Sequence, residues 1–305
     1  MEQSIEVIGI DHGWSMMKTA NTIFTTGVAE IRTEPAIFDN VLEYDGKYYQ
    51  VGGTRLTVQD TKVENDNFYL LTLAAIAKEL KARGKNRANV YLAVGLPYTR
   101  YGDEKQEFME YLERNKCIQY LFEQKQYEIR IVKVSVYPQC YAAIVDKIPN
   151  SKSRVVAIDL GSWTLDIVDI LNKSPNDETS ATIPEGLIKS MRNINSECYR
   201  LYANTLDECV IQEVMRFGTS DIDDKYLELI KTHLQKYTVE VHNSVRELSF
   251  NRETTQIIYV GGGASVMRLF STEGDKRNIS YVEDIKANAK GYELLAKLTL
   301  RKSGR

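Results

Sequence analysis

The stretch RVVAIDLGSWTLDIVDI, residues 154–170, decides how the rest of the chain is read. Two apolar, β-rich runs, 155–158 and 165–170, flank a tight Gly161-Ser162 turn. This pattern predicts a β-hairpin with residues 160–163 as its turn. Asp159 falls where the first strand ends and Asp166 where the second begins. Two carboxylates beside a turn of exposed backbone N–H groups make a place to hold a metal-bound polyphosphate. Taken alone, the stretch reads equally as an ordinary hairpin with two solvated aspartates, because hairpin turns are rich in Asp and Gly.

A look-alike opens the chain. Residues 5–10 are apolar, Asp11-His12-Gly13-Trp14-Ser15 follows, and 16–20 read as a returning strand. A supersecondary unit repeated half a chain apart predicts two similar domains, with a ligand held by both hairpins.

Length and composition agree with two domains. A chain of 305 residues can bury two cores, and 43% hydrophobic with 27% charged residues is ordinary for a globular protein. The net charge of -3 argues against a strongly basic nucleic-acid surface. Cys117, Cys140, Cys198 and Cys209 form no CxxC pair, which reads as buried or free thiols in a reducing cytosol. His12, His233 and His242 lack metal-ligand spacing with any cysteine. No apolar run approaches the ~20 residues that span a bilayer. Nothing at the N-terminus reads as a secretion signal, so a cytoplasmic location is expected.

Further along, Asp45-Gly46 predicts a hairpin turn. A helix is expected over 68–83 with Tyr69, Leu73, Ile76 and Leu80 as its apolar stripe. Strands follow at 89–94 and 127–134, separated by a charged helix at 102–115. Pro138 suits the first turn of a short helix at 141–145, and Gln139 at that entry either points to a ligand or is solvated. The polar stretch 149–153 reads as a domain boundary. Residues 188–217 read as helix with a break near 193–195, and a long helix spans 225–248. An apolar strand at 257–260 runs into Gly261-Gly262-Gly263-Ala264, where backbone must approach something closely, and a helix starts near Val266. A short strand at 279–282 and a helix over 285–298 close the chain. Tyr292, Leu295 and Leu298 make the stretch 291–302 a docking helix in preference to a membrane anchor.

Strand–Asp–Gly/Ser turn–strand, its copy half a chain later, and strand–GGG–helix form a joint signal. In this order they resemble the actin-like ATPase superfamily, which includes actin, the heat-shock chaperone ATPases and the sugar kinases. IGIDHGWSMMK, 8–18, is similar to its first phosphate loop; AIDLGSWTLDI, 157–167, to its second; YVGGGA, 259–264, to its adenosine loop. The length, Lys18, the Leu-Asp166-Ile ending and the NAKGY segment 288–292 are most similar to the ParM-like plasmid-segregation branch.

The resemblance implies an α/β fold of two similar actin-like (RNase H-like) domains with mixed sheets flanked by helices and a nucleotide cleft between them. Domain I would hold 1–150 and about 283–305, domain II 151–282. It implies ATP, or GTP, with Mg²⁺. Asp11 and Asp159 would hold the metal through waters. Gly13, Ser15, Gly161, Ser162 and Thr164 would meet phosphate oxygens, Lys18 would add positive charge, and Gly261, Gly262, Gly263 and Ala264 would meet adenosine. Gln139 and Asp166 would orient the attacking water, with Asp159 as a further catalytic carboxylate.

The chain departs from the branch at Gln139, where many ParM-like proteins carry Glu. Glutamine aligns water but accepts no proton, so hydrolysis is expected to be slow. Trp163 stands where relatives have a small residue, and it either narrows the γ-phosphate pocket or lies on the outer surface. His12 and Trp14 are also unusual. The leading expectation is a cytomotive filament ATPase that assembles head to tail, with exposed residues of 23–66 in the interface and an adaptor protein bridging to centromeric plasmid DNA. It would need no membrane and no direct nucleic-acid contact. A non-hydrolysing assembly scaffold and a small-molecule kinase of the same superfamily are the alternatives.

Overall fold

The protein is described by a computed structural model, over residues 5–148, 154–248, 250–251, 253–272 and 277–303. It divides into two compact units, Met1–Ala143 with Lys286–Arg305, and Ile144–Ile285. The polar stretch 149–153, expected as a boundary, lies outside the described residues.

Unit 1 is built on strands β1 Ile5–His12, β2 Met16–Thr19, β3 Ile23–Thr25, β4 Val28–Ile31, β5 Val41–Tyr44 and β6 Lys47–Val51. Helix α1 Asn67–Ala82, β7 Arg87–Leu96, α2 Tyr98–Glu113, β8 Cys117–Phe122, β9 Lys125–Pro138 and the short α3 Tyr141–Ile144 follow. The nine strands form one mixed sheet in the order β3-β2-β1-β7-β9-β8-β5-β6-β4. Its centre, β1-β7-β9, is parallel. A parallel centre is covered on both faces, which is why these strands read as unbroken apolar runs. Alternate residues serve alternate faces: Ile8, Leu92 and Val94 join the core under α1, whereas Val7, Tyr91 and Ala93 pack with Ala142, Tyr292 and Ala296.

Unit 2 carries β10 Val155–Leu160, β11 Leu165–Leu171, β12 Ser174–Pro175, β13 Ala181–Ile183, α4 Leu187–Tyr202, α5 Glu208–Phe217, α6 Asp224–Arg246, β14 Gln256–Val260, α7 Gly262–Phe270 and β15 Ile279–Val282. The sheet order is β12-β11-β10-β14-β15, with β13 beside β11. One face packs Val156, Ile158, Ile167 and Tyr259 against the helices, including the α6 stripe of Ile230, Leu234, Tyr237, Val241 and Val245. The last helix, α8 Ala287–Ser303, returns to unit 1 and docks through Tyr292, fully buried, and Leu295, partly buried, whereas Leu298 of the expected face is exposed. No helix among the described residues is long and apolar enough to cross a membrane. Gly291 is what lets α8 lie so close: a Cβ there would fall against the Ala142 carbonyl oxygen.

Several expectations change. Helix α1 is buried almost all round, Phe68, Leu70, Leu71 and Ala74 included, so its four-residue stripe understates a helix inserted in a core. Helix α2 starts at Tyr98, directly after Pro97, a turn earlier than Gly102 suggested. Strand β8 is absent from the sequence reading because its turn, Glu123-Gln124, takes left-handed backbone (φ 51 and 60) without a Gly or Asn to advertise it. Pro138 ends β9, paired with Leu96, and is not in the first turn of a helix. The helix break falls between Tyr202 and Glu208, not at 193–195. Asn195 stays helical and uses its amide on the connecting loop, donating to Leu206 O (3.0 Å) and accepting from Leu206 N (2.7 Å). Helix α7 begins at Gly262, not near Val266, and α8 runs on to Ser303.

Candidate functional site

In unit 1 the site is the β1–β2 hairpin. His12 pairs with Met17 and Asp11 with Lys18, leaving residues 13–16 as a four-residue loop. Asp11 is almost fully buried, and both of its oxygens are occupied. Lys18 Nζ reaches Oδ2 at 3.1 Å, and Gln139 Nε2 donates to Oδ1 at 3.0 Å. A carboxylate only accepts, so Gln139 must present its nitrogen to Asp11 and keep its carbonyl oxygen for another donor. Gln139 sits in the β9–α3 turn, where its backbone N–H donates to Leu96 O. The next residue, Cys140, is left-handed (φ 64), and its N–H is taken by Asn288 Oδ1 of α8 at 2.9 Å. Asn288 therefore holds the turn that aims Gln139, a role its sequence neighbourhood does not announce.

The loop rests on Thr26, whose N–H donates to Ser15 O (3.0 Å) and whose hydroxyl donates to Gly13 O (2.6 Å). The two unusual side chains of this loop turn inward. Trp14 packs edge-on to Phe68 with ring centroids 5.2 Å apart, and His12 is fully buried. Thr72 spends its proton on Phe68 O, so its oxygen accepts from His12 Nε2 at 2.8 Å. Burial, with Lys62 nearby, pushes the imidazole down to about 3, and it stays neutral.

Unit 2 repeats the geometry. Leu160 pairs with Leu165 and Asp159 with Asp166, so the loop is 161–164, one residue later than the expected 160–163. Asp159 and Asp166 thus hold the register positions that Asp11 and Lys18 hold in the first copy. Three of the loop carbonyls are used by the start of α4: Leu187 N donates to Gly161 O, Ile188 N to Ser162 O, and Gly186 N to Trp163 O; the fourth, Thr164 O, accepts from Gly161 N. In a trans peptide the N–H points opposite to the C=O, so the N–H groups of Ser162, Trp163 and Thr164 face away from α4. Three aligned N–H groups suit phosphate oxygens.

Asp166 is anchored by two hydroxyls, Thr164 Oγ1 to Oδ2 (2.9 Å) and Thr182 Oγ1 to Oδ1 (2.6 Å). Thr182 was not foreseen, because β13 is too short to signal its pairing with β11. Asp159 lies against Gly261, whose φ of 78 and missing Cβ both matter: a Cβ would sit 2.8 Å from Asp159 Oδ1. Gly262 opens α7, while Gly263 and Ala264 are buried, Gly263 against Leu160 of β10. Trp163 is partly buried. It packs on the unit 2 core with the Arg192 guanidinium 5.3 Å from its ring.

Among the described residues no group of three or more His, Cys, Asp or Glu side chains clusters as a metal site. Mg²⁺ is commonly held by one or two carboxylates plus substrate phosphates and waters, and Asp159, a partly exposed carboxylate packed against Gly261, fits that donor chemistry.

Residues 9–141 match the family model described as the actin-like proteins N-terminal domain. No curated protein matches the chain. Solved structures do. Ta0583, an archaeal actin homolog, superposes with a TM-score of 0.78 at 19% identity, covering 96% of this chain and 99% of that one. The pSK41 ParM protein superposes with a TM-score of 0.74 at 17% identity, covering 99% of each. The Alp12 filament subunit gives 0.72 at 18%, covering 97% and 99%. Ta0583 has also been solved in complex with ADP. The chain thus has an actin-like two-unit fold, similar to those of Ta0583 and the pSK41 ParM protein, and its residues 9–141 match the N-terminal domain model of the actin-like proteins.

Proposed function

We propose that this chain binds ATP with Mg²⁺, assembles head to tail into filaments and hydrolyses ATP slowly, in the cytoplasm, as part of plasmid DNA segregation. The observation that carries the reading is the duplicated hairpin: a carboxylate two positions before a four-residue loop, in the same register, once in each unit. The names of the similar structures add support, since one is a filament and another an ADP complex.

Asp11 and Asp159 would hold a hydrated Mg²⁺, which supplies charge neutralisation on the phosphates. The N–H groups of 162–164, with Gly13 and Ser15, would take phosphate oxygens, and Lys18 would share its charge between Asp11 and the phosphates. Gly261 to Ala264 would border the adenosine. Gln139, tied to Asp11 by its nitrogen, offers its carbonyl oxygen to the attacking water but cannot accept the proton as a base. Slow hydrolysis follows. Asp166, anchored by Thr164 and Thr182, would help orient that water. Filament growth needs a heterologous interface, and Ile23 and Ile37 are exposed apolar residues in the 23–66 region that suit one. An adaptor protein would link the filament to centromeric DNA, as suits a chain of net charge -3.

The test is light scattering of the purified chain with Mg-ATP, followed alongside phosphate release, with Mg-GTP in parallel. Scattering that rises and then decays as phosphate appears is expected. No scattering at high protein concentration overturns the filament reading. Scattering without phosphate release would leave the assembly scaffold. Phosphoryl transfer that needs a hydroxyl acceptor would leave the kinase.

A further inference from the structure

Arg55, in the segment after β6, donates from Nη1 to Ser15 Oγ at 3.1 Å. Ser15 is only 8% exposed. The backbone around Arg55 is tied to the same turn that braces the loop: Leu56 N donates to Thr26 O (2.8 Å), and Thr26 N donates to Ser15 O (3.0 Å). Thr26 itself is fully buried. Arg55 is thus held in place by the backbone turn under the phosphate loop as well as by its own side chain.

We infer that Arg55 is a positioning residue that makes the first loop select a nucleoside triphosphate over a diphosphate. The inference rests on the proposed ATP site. A hydroxyl that accepts from a guanidinium must aim its own proton elsewhere, and the cation polarises it into a stronger donor. A phosphate oxygen at neutral pH accepts. Arg55 therefore sets Ser15 as a phosphate donor before any nucleotide arrives. The phosphate concerned is the terminal one. Gln139 lies on Asp11 of this same hairpin, and in the proposed reaction the water that Gln139 would orient attacks the terminal phosphorus. A diphosphate has no group at that position, so losing Arg55 acts on the triphosphate alone.

The experiment measures Kd of the full chain for Mg-AMPPNP, a triphosphate analogue that is not hydrolysed, and for Mg-ADP, by calorimetry below the assembly concentration. Wild type, Arg55→Ala and Arg55→Lys are compared. Arg55→Ala is expected to weaken the triphosphate about tenfold and the diphosphate less than about twofold. Arg55→Lys should recover part of the loss, about threefold short of wild type, because charge returns without the planar fork. If Arg55→Ala does not fold, that smaller, triphosphate-only loss in Arg55→Lys carries the test. A residue that merely braced the loop would weaken both nucleotides alike, and that result, or an unchanged ratio, overturns the inference while the ATP site stands. Wild type binding neither nucleotide removes the ATP site and the inference together.

Discussion

Gln139 Nε2 donates to Asp11 Oδ1 at 3.0 Å. The amide is thereby oriented by a carboxylate, and its carbonyl oxygen becomes the group that a water can meet. Gln139→Ala removes that acceptor. Single-turnover phosphate release should slow by on the order of tenfold to a hundredfold, while ATP-driven scattering persists. Gln139→Glu adds a proton acceptor and should speed release. Equal rates in all three proteins would show that Gln139 plays no part in hydrolysis.

Asp159→Ala removes the carboxylate that faces Gly261. Nucleotide-dependent scattering should disappear, and the circular-dichroism melt should stay near that of wild type, because residue 159 is only partly buried. Wild-type assembly by this variant would refute the proposed metal carboxylate.

His12 makes unit 1 sensitive to acid. Its folded value is pushed down to about 3 by burial, against an ordinary 6.5. Below 6.5 the unfolded chain binds a proton that the folded chain refuses. The stability from a neutral His12 is therefore complete above about pH 6.5 and is lost as pH falls toward 3. In a Trp163→Phe background, Trp14 fluorescence reports unit 1 alone, since the chain has two tryptophans. Urea unfolding followed this way should show stability falling from about pH 6.5 to 4, and His12→Gln should flatten that fall. Parallel pH profiles in the two proteins would contradict the assignment.

Gly291→Ala pushes a methyl group against the Ala142 carbonyl, so α8 must move off the sheet. Overpacking of this kind costs about 1–3 kcal/mol. The melting transition of unit 1 should drop. Phosphate release should slow as well, because Asn288 on the same helix holds the Cys140 N–H beside Gln139. A stability loss with unchanged hydrolysis would separate α8 from the aim of Gln139.

Much of the architecture is legible before folding. Alternating and continuous apolar runs mark β1, β7, β10, β11 and β14, because strand periodicity and two-sided burial leave direct traces in composition. Asp45-Gly46 marks its turn, because those residues tolerate left-handed backbone (φ 52 and 71). Glu123-Gln124 adopts the same kind of backbone without that chemistry, and β8 was invisible for that reason. Asn195 looked like a helix breaker, since an asparagine's competition with the backbone is local in sequence. In the fold it bonds a loop 11 residues away and the helix runs through it.

By itself, the sequence determined that two carboxylates stand before two glycine-containing loops half a chain apart, and that a third glycine turn joins strand to helix. Only the tertiary structure decided what the hairpin carboxylates Asp11 and Asp166 meet. Asp11 takes Lys18 from its own hairpin and Gln139 from 128 residues away, whereas Asp166 takes the hydroxyls of Thr164 and Thr182. It also turned Trp163 onto Arg192 and buried His12 beneath the first loop. The reason is physical: strand and turn propensities act over a few residues, but the partner of a buried polar group is chosen by which distant segment the packed sheet brings within hydrogen-bonding reach.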